Sequence, residues 1–377
     1  MTSKKTGFWL ITALLMITLS CKKTTQTTPQ KNHKDFHEIE NYLQTLIDTG
    51  NVPGIAIAIT SGQDIVYSKG FGVTNVQTKE KLEPWHNFHI ASISKTFTAA
   101  AVMQLAEKGK LDINKPLTTY LPYFRLNDGR YQTITIKQML NHTSGMPDVQ
   151  NYEWEKAIED EGAAERYTRS LADQKMISDP GAEFHYSNIA YDVMGDLIAK
   201  VSGMPFEKYV KENILNPLEM NQSSFYFPEV KNNPRTSPHT NKPPVVSSVY
   251  PYNRMHSPSS TLNTNIQELS HWAIANLNQG QYKNKQIISP ATYTMMITPT
   301  FSVDPTIKAS VGLSWFMYPY KGMMNYTHDG GDVGYRSVLT LIPEKKLGII
   351  LLSNTDQIDI QFVHDKIRDI LLSMNGI

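Results

Sequence analysis

Strand-like runs stand at both ends of this chain, and the long middle between them has helical period. Residues 55–59 and 65–67 flank Thr60-Ser61-Gly62-Gln63, which predicts a β-hairpin that residues 71–73 extend. Two further runs, 337–342 and 347–352, flank Pro343-Glu344-Lys345-Lys346 and predict a second hairpin, with 311–316 as another strand. Strands must pair their backbone N–H and C=O groups. The economical arrangement is one antiparallel sheet assembled from both termini, with a mostly helical lobe inserted between its halves. The expected class is α+β. The sheet lobe takes residues 36–90 and 300–377, and the helical lobe 91–299. A site falls naturally between two such lobes.

The middle carries the helical signals. Apolar residues recur at helical spacing over 36–47, 189–201, 206–215, 266–277 and 360–371. A short helix is expected over 135–140, and a charged, mostly helical stretch over 153–175. Residues 228–260 are rich in Pro, Ser, Asn and Thr and form the longest irregular segment, which walls a site or is disordered. Asn141-His142-Thr143-Ser144-Gly145-Met146-Pro147 is a turn cluster, in which His142 reads as a buried, hydrogen-bonded structural histidine.

One helix differs from the rest. Phe97, Ala99 to Met103 and Leu105 are apolar almost all round, the mark of a helix buried in a domain centre. Its head is Ser92-Ile93-Ser94-Lys95. Residues three apart share a helix face, so this spacing brings a hydroxyl and an amine together. A serine hydroxyl is a weak nucleophile until a neighbour takes its proton. A lysine can do that when burial lowers its pKa. At a helix N-terminus, Ser92 also stands where backbone N–H groups favour an oxyanion.

Two later clusters add groups of matching chemistry. Tyr186-Ser187-Asn188 lies directly before the 189–201 helix. A tyrosine near a lysine can pass protons, and an amide can orient both the lysine and a substrate carbonyl. His328-Asp329-Gly330-Gly331 precedes Gly334-Tyr335 and a strand. Glycines let a strand edge approach a ligand closely, and the N–H of Gly331 could join that of Ser92 around an oxyanion. Taken singly, each cluster is equally a helix cap or a turn.

In this order the three clusters resemble the serine β-lactamase and penicillin-binding-protein superfamily, whose Ser-x-x-Lys, Ser/Tyr-x-Asn and Lys-Thr-Gly boxes carry acyl transfer. The tyrosine form of the second box is similar to the branch of class C β-lactamases and D-alanyl-D-alanine carboxypeptidases. Pro53-Gly54, Pro217-Leu218-Glu219-Met220, Ser259-Ser260-Thr261-Leu262 and Gly312-Leu313-Ser314-Trp315 agree with it, so the resemblance covers 36–377. It implies a β-lactamase/transpeptidase-like fold and an acyl-enzyme on Ser92. Lys95 and Tyr186 would share the proton work, and Asn188, His328, Asp329, Gly330 and Gly331 would hold substrate. No cofactor or metal is implied. The substrate would be a small molecule or peptide with an amide or ester bond, such as a D-amino-acid peptide or a β-lactam. His328-Asp329-Gly330 departs from Lys-Thr-Gly: those family residues favour a substrate carboxylate, and Asp329, if it faces the site, repels one.

Other function classes are weak. The formal charge is +1, with Lys4 and Lys5 in the leader, so the body is near neutral and offers no electrostatic case for nucleic acid. The α/β-hydrolase motif Gly-x-Ser-x-Gly is missed at Gly312-Leu313-Ser314-Trp315-Phe316, which lacks the closing glycine. A lipoprotein sensor that is acylated without turnover stays open as an alternative.

Residues 1–20 read as a signal peptide: Lys4-Lys5, an apolar run over 8–19, then Ser20 before Cys21. Cys21 is the chain's single cysteine, which excludes an internal disulfide and a cysteine-based metal site. The junction resembles a bacterial lipobox, with Thr18 in place of the usual aliphatic residue. It implies lipid attachment at Cys21, a membrane anchor and a cell-envelope location. Residues 21–35 read as a flexible tether to the domain at 36–377.

Overall fold

The computed structural model describes residues 1–2 and 35–374. Residues 3–20 of the expected leader, Cys21 and the tether up to 34 lie outside these described residues. Residues 37–377 form one unit, separate from 1–36.

Eight strands make the central sheet: β1 (Gly54–Ser61), β2 (Asp64–Gly72), β3 (Phe301–Asp304), β4 (Ala309–Val311), β5 (Phe316–Tyr320), β6 (Met323–Asp332), β7 (Tyr335–Ile342) and β8 (Leu347–Ser353). Their order is β2-β1-β8-β7-β6-β5-β4-β3, antiparallel throughout. The two chain ends meet where β1 pairs β8, with Ile57 opposite Leu351. Both strands are apolar on both faces, so both faces need cover. Ala56, Ala58, Ile350 and Leu352 join the main core, against the helix α4 (Ile266–Leu277). Ile55, Ile57, Ile349 and Leu351 are equally buried on the other face. There α1 (His37–Asp48) packs on β2, and α5 (Ile360–Ser373) on β7 and β8.

The Ser92 helix is central as expected. In α2 (Ser94–Glu107) every residue from Ser94 to Leu105 is buried. Ser92 sits in a tight turn, Ala91–Ile93, that leads into α2 rather than in the helix itself. α3 (Asn188–Ser202) packs beside α2 and ends at Gly203, whose φ of 79° suits a glycine stop.

Three expectations change. The 311–316 run is not one strand: β4 stops at Val311 and β5 starts at Phe316. Between them Gly312 lies so close to the chain that an added Cβ would meet the Met296 carbonyl at 2.2 Å, and Ser314 has φ 78°. A side chain at 312 has no room, and a left-handed residue breaks a strand. The 153–175 stretch is helical only at Trp154–Lys156, Ala163–Ser170 and Leu171–Asp173. The His328-Asp329-Gly330-Gly331 cluster, expected to precede a strand, is itself strand, the end of β6. Its residues lack an apolar alternation, and pairing with β7 holds it extended, while the β5 ladder ends at Thr327 and leaves its other edge open.

Candidate active site

Lys95 is the centre of the site. It is fully buried, and its Nζ lies 2.9 Å from Ser92 Oγ, 2.6 Å from Asn188 Oδ1 and 2.8 Å from the Ser259 carbonyl. The first contact follows from the three-residue spacing. The second comes from the first turn of α3, and the third from the end of the irregular 228–260 segment. Burial pushes the Lys95 amine down to about 8, against the opposing pull of Asp192, Asp332, Asp148 and Asp329. A neutral amine has two N–H donors and one lone pair. Asn188 Oδ1 and Ser259 O can only accept, so they take both donors. The lone pair is then left for the Ser92 hydroxyl.

Asn188 is itself held. Asp148 accepts from its backbone N at 2.8 Å and from its side-chain Nδ2 at 3.0 Å. This fixes the amide with its oxygen toward Lys95. Ser187 caps α3 by accepting from Ala190 N at 3.1 Å. The cap and the site thus come from the same three residues, divided by position.

Tyr186 packs over the same pair. Lys95 Nζ is 5.0 Å from its ring centroid, and the Ser92 hydroxyl is near enough to its phenol to favour the ionised form. Burial pushes the phenol well above its ordinary value, which the Ser92 hydroxyl opposes. The group is therefore a proton donor at neutral pH, not a standing phenolate.

The β6 end closes the site. Gly330 pairs with Ser337, and an added Cβ there would lie 2.6 Å from Ile90 O and 2.8 Å from Ser92 N. Only glycine lets the two backbones come this near. Gly331 follows, exposed to an open pocket of about 290 Å³ that Ser92, Tyr186, Asn188, His328 and Asp329 also line. Ser92, Lys95, Tyr186, Asn188, His328, Asp329, Gly330 and Gly331 are thus brought together.

His328 is buried, and its Nδ1 lies 2.7 Å from the Asp329 carbonyl. Burial pulls its imidazole down to about 4, with Lys95 acting in the same direction against Asp329. It is neutral over the physiological range. Asp329 is exposed and on the pocket wall.

Sequence reasoning missed Asp148, Asp332 and the part played by His142. Asp148 directly follows Met146-Pro147 in the turn cluster, which was the available signal. Asp332 lies 2.7 Å from His89 Nε2 and accepts from Ser260 Oγ, closing the pocket floor. His142 is buried and hydrogen-bonded as expected, but it also stacks on Tyr186.

The chain is similar to known proteins in sequence and in fold. The family profile described as Beta-lactamase matches residues 39–371. Protein flp of Staphylococcus aureus (strain MRSA252) is 30% identical over 325 residues, 84% of this chain and 62% of that protein. The chain thus spans less than two thirds of the curated relatives it matches first. An octameric penicillin-binding protein homologue from Pyrococcus abyssi superposes with a TM-score of 0.79 at 26% identity, over 90% of this chain and 78% of that one. A class C beta-lactamase superposes at 0.76 with 20% identity, over 91% and 97%. The β-lactamase/transpeptidase-like fold follows from these together.

Proposed function

Because this chain belongs to the beta-lactamase family, a family of serine acyl hydrolases, we propose that it hydrolyses amide or ester bonds through an acyl-enzyme on Ser92. The observation that carries this reading is the three-point hold on Lys95 Nζ, which leaves a lone pair facing Ser92 Oγ. As Oγ attacks the substrate carbonyl carbon, its proton passes to Lys95. The oxyanion is held by the N–H groups of Ser92 and Gly331; one such donor is worth about 10²–10³ in rate. Tyr186 gives its proton to the leaving group and recovers one from Lys95. Water then attacks the acyl ester by the reverse route and restores Ser92. The substrate is a small ester, amide or peptide, and the enzyme works in the bacterial cell envelope, anchored by lipid on Cys21. The exposed Asp329 on the pocket wall favours an esterase or amidase with little β-lactamase activity.

Ser92→Ala should abolish covalent labelling by a fluorophosphonate while the thermal unfolding profile is kept. Full labelling of the alanine variant would remove the assignment. Steady-state turnover after an initial burst separates an enzyme from a sensor that stays acylated.

A further inference from the structure

Among the described residues, the pocket lining offers mostly acceptors. Its lining includes Asp148, Asp329 and Asp332 but no lysine or arginine. Asp148 is engaged by Asn188, and Asp332 by His89 and Ser260. Asp329 is the exposed carboxylate of the three. Lys95 is fully buried behind Ser92, with its donors directed at protein oxygens. Arg336 packs beside Gly331, but its Nη1 donates to the backbone carbonyls of Asp332, at 3.1 Å, and Tyr335, at 2.9 Å.

His328 supplies an independent indication. A carbonyl oxygen can only accept, so the contact from Nδ1 to Asp329 O places the proton on Nδ1. In the neutral ring Nε2 is then a bare acceptor. The side chain is 1% exposed, lines the pocket, and its Nε2 has no hydrogen-bond partner among the described residues. A buried polar atom without a partner is costly unless a ligand supplies one. The missing partner must be a donor.

From this acceptor-lined wall we infer that the preferred substrates are esters or amides carrying a free, protonated amine close to the scissile carbonyl, held by Asp329 and the Nε2 edge of His328. An ammonium supplies several donors and a positive charge, and so answers both features. A carboxylate answers neither. Such a preference reverses the one expected of a Lys-Thr-Gly wall. It rests on the Ser92 acyl-enzyme reading.

The test uses three fluorophosphonates of equal size, ending in a primary ammonium, a methyl or a carboxylate. Their second-order labelling rates on Ser92 are compared in the full chain. The ammonium probe should exceed the carboxylate probe by about tenfold or more at low ionic strength, as for a cleft lined by one sign of charge. The ratio should shrink in about 1 M salt and fall several-fold in Asp329→Asn. Equal rates for the three probes, or an unchanged ratio in Asp329→Asn, would overturn the inference and leave the serine reading standing. If no probe labels Ser92, the serine reading fails and this inference fails with it.

Discussion

The imidazole of His142 lies flat against the ring of Tyr186, with centroids 4.2 Å apart and planes inclined by 22°. The same imidazole accepts from Ser187 N through Nδ1 at 3.1 Å. It is therefore neutral, and burial, first, holds it well below the usual histidine range. One side chain thus fixes both the plane of Tyr186 and the backbone after it. His142 itself has φ 59°, so the turn cluster is bent to present it. His142→Ala should lower kcat by about tenfold or more with little change in KM, since small misplacements of catalytic groups are costly. His142→Asn, which keeps an acceptor, should recover part of the loss. A loss of melting temperature with normal kcat in the folded fraction would make the role structural only.

Lys95 can take a proton only as the free amine, and its pKa in the fold is about 8 rather than the ordinary 10.5. As pH falls below about 8 it becomes increasingly an ammonium, and a smaller fraction of molecules has a base for the Ser92 hydroxyl. The acylation rate should therefore rise with pH through about 8 and level off above it. A rise displaced toward 10.5 would show a solvated lysine. Lys95 and Tyr186 also form one proton-transfer unit, and such groups are non-additive on removal. The Lys95→Ala, Tyr186→Phe double variant should be little worse than the poorer single variant. Strictly additive losses in transition-state free energy would indicate independent roles.

His328 is neutral at physiological pH and Asp329 lines the pocket, so among the described lining residues no lysine or arginine attracts a carboxylate. Neutral esters or amides should be handled at least as well as β-lactams or peptides ending in a free carboxylate. His328→Lys with Asp329→Thr should move kcat/KM toward the carboxylate-bearing substrates by about tenfold, the effect of roughly 1.4 kcal/mol. A uniform fall for every substrate, with the ratio unchanged, would count against a charge-selective wall.

Cys21 is the only cysteine and follows the apolar run over 8–19, and it is where we propose that the lipid is attached. Cys21→Ser should move the protein from the membrane to the soluble fraction, or leave its leader uncut. Fractionation with intact-mass measurement reads both outcomes. Normal cleavage with unchanged membrane retention would place the anchor elsewhere.

What could be read directly was whatever depends on near neighbours in the chain. The Ser92–Lys95 contact follows from one helical turn. The β1–β2 and β7–β8 hairpins follow from apolar runs around short polar links, and α4 was expected over the residues it occupies. β6 escaped notice because a strand held by two partners needs no apolar alternation of its own. The break at Gly312 escaped it because its cause, the Met296 carbonyl, belongs to another segment.

The site divides in the same way. Ser92, Lys95, Tyr186, Asn188 and His328 could be named from motif order, yet the meeting of Asn188 with Lys95 spans 93 positions. Asp148 was marked only by its place after the turn cluster, and the Ser259 carbonyl on Lys95 and the His142 ring on Tyr186 are contacts between distant segments that no local pattern states. Whether Asp329 faces pocket or core is equally invisible in a strand read alone, because one step of register exchanges the two faces. By itself the sequence determined which chemical groups were present and which short-range pairs they formed, since backbone geometry sets those. The tertiary structure alone decided which lone pair faces Ser92 and which charge faces the substrate, because packing between distant segments sets burial, register and the direction of each donor.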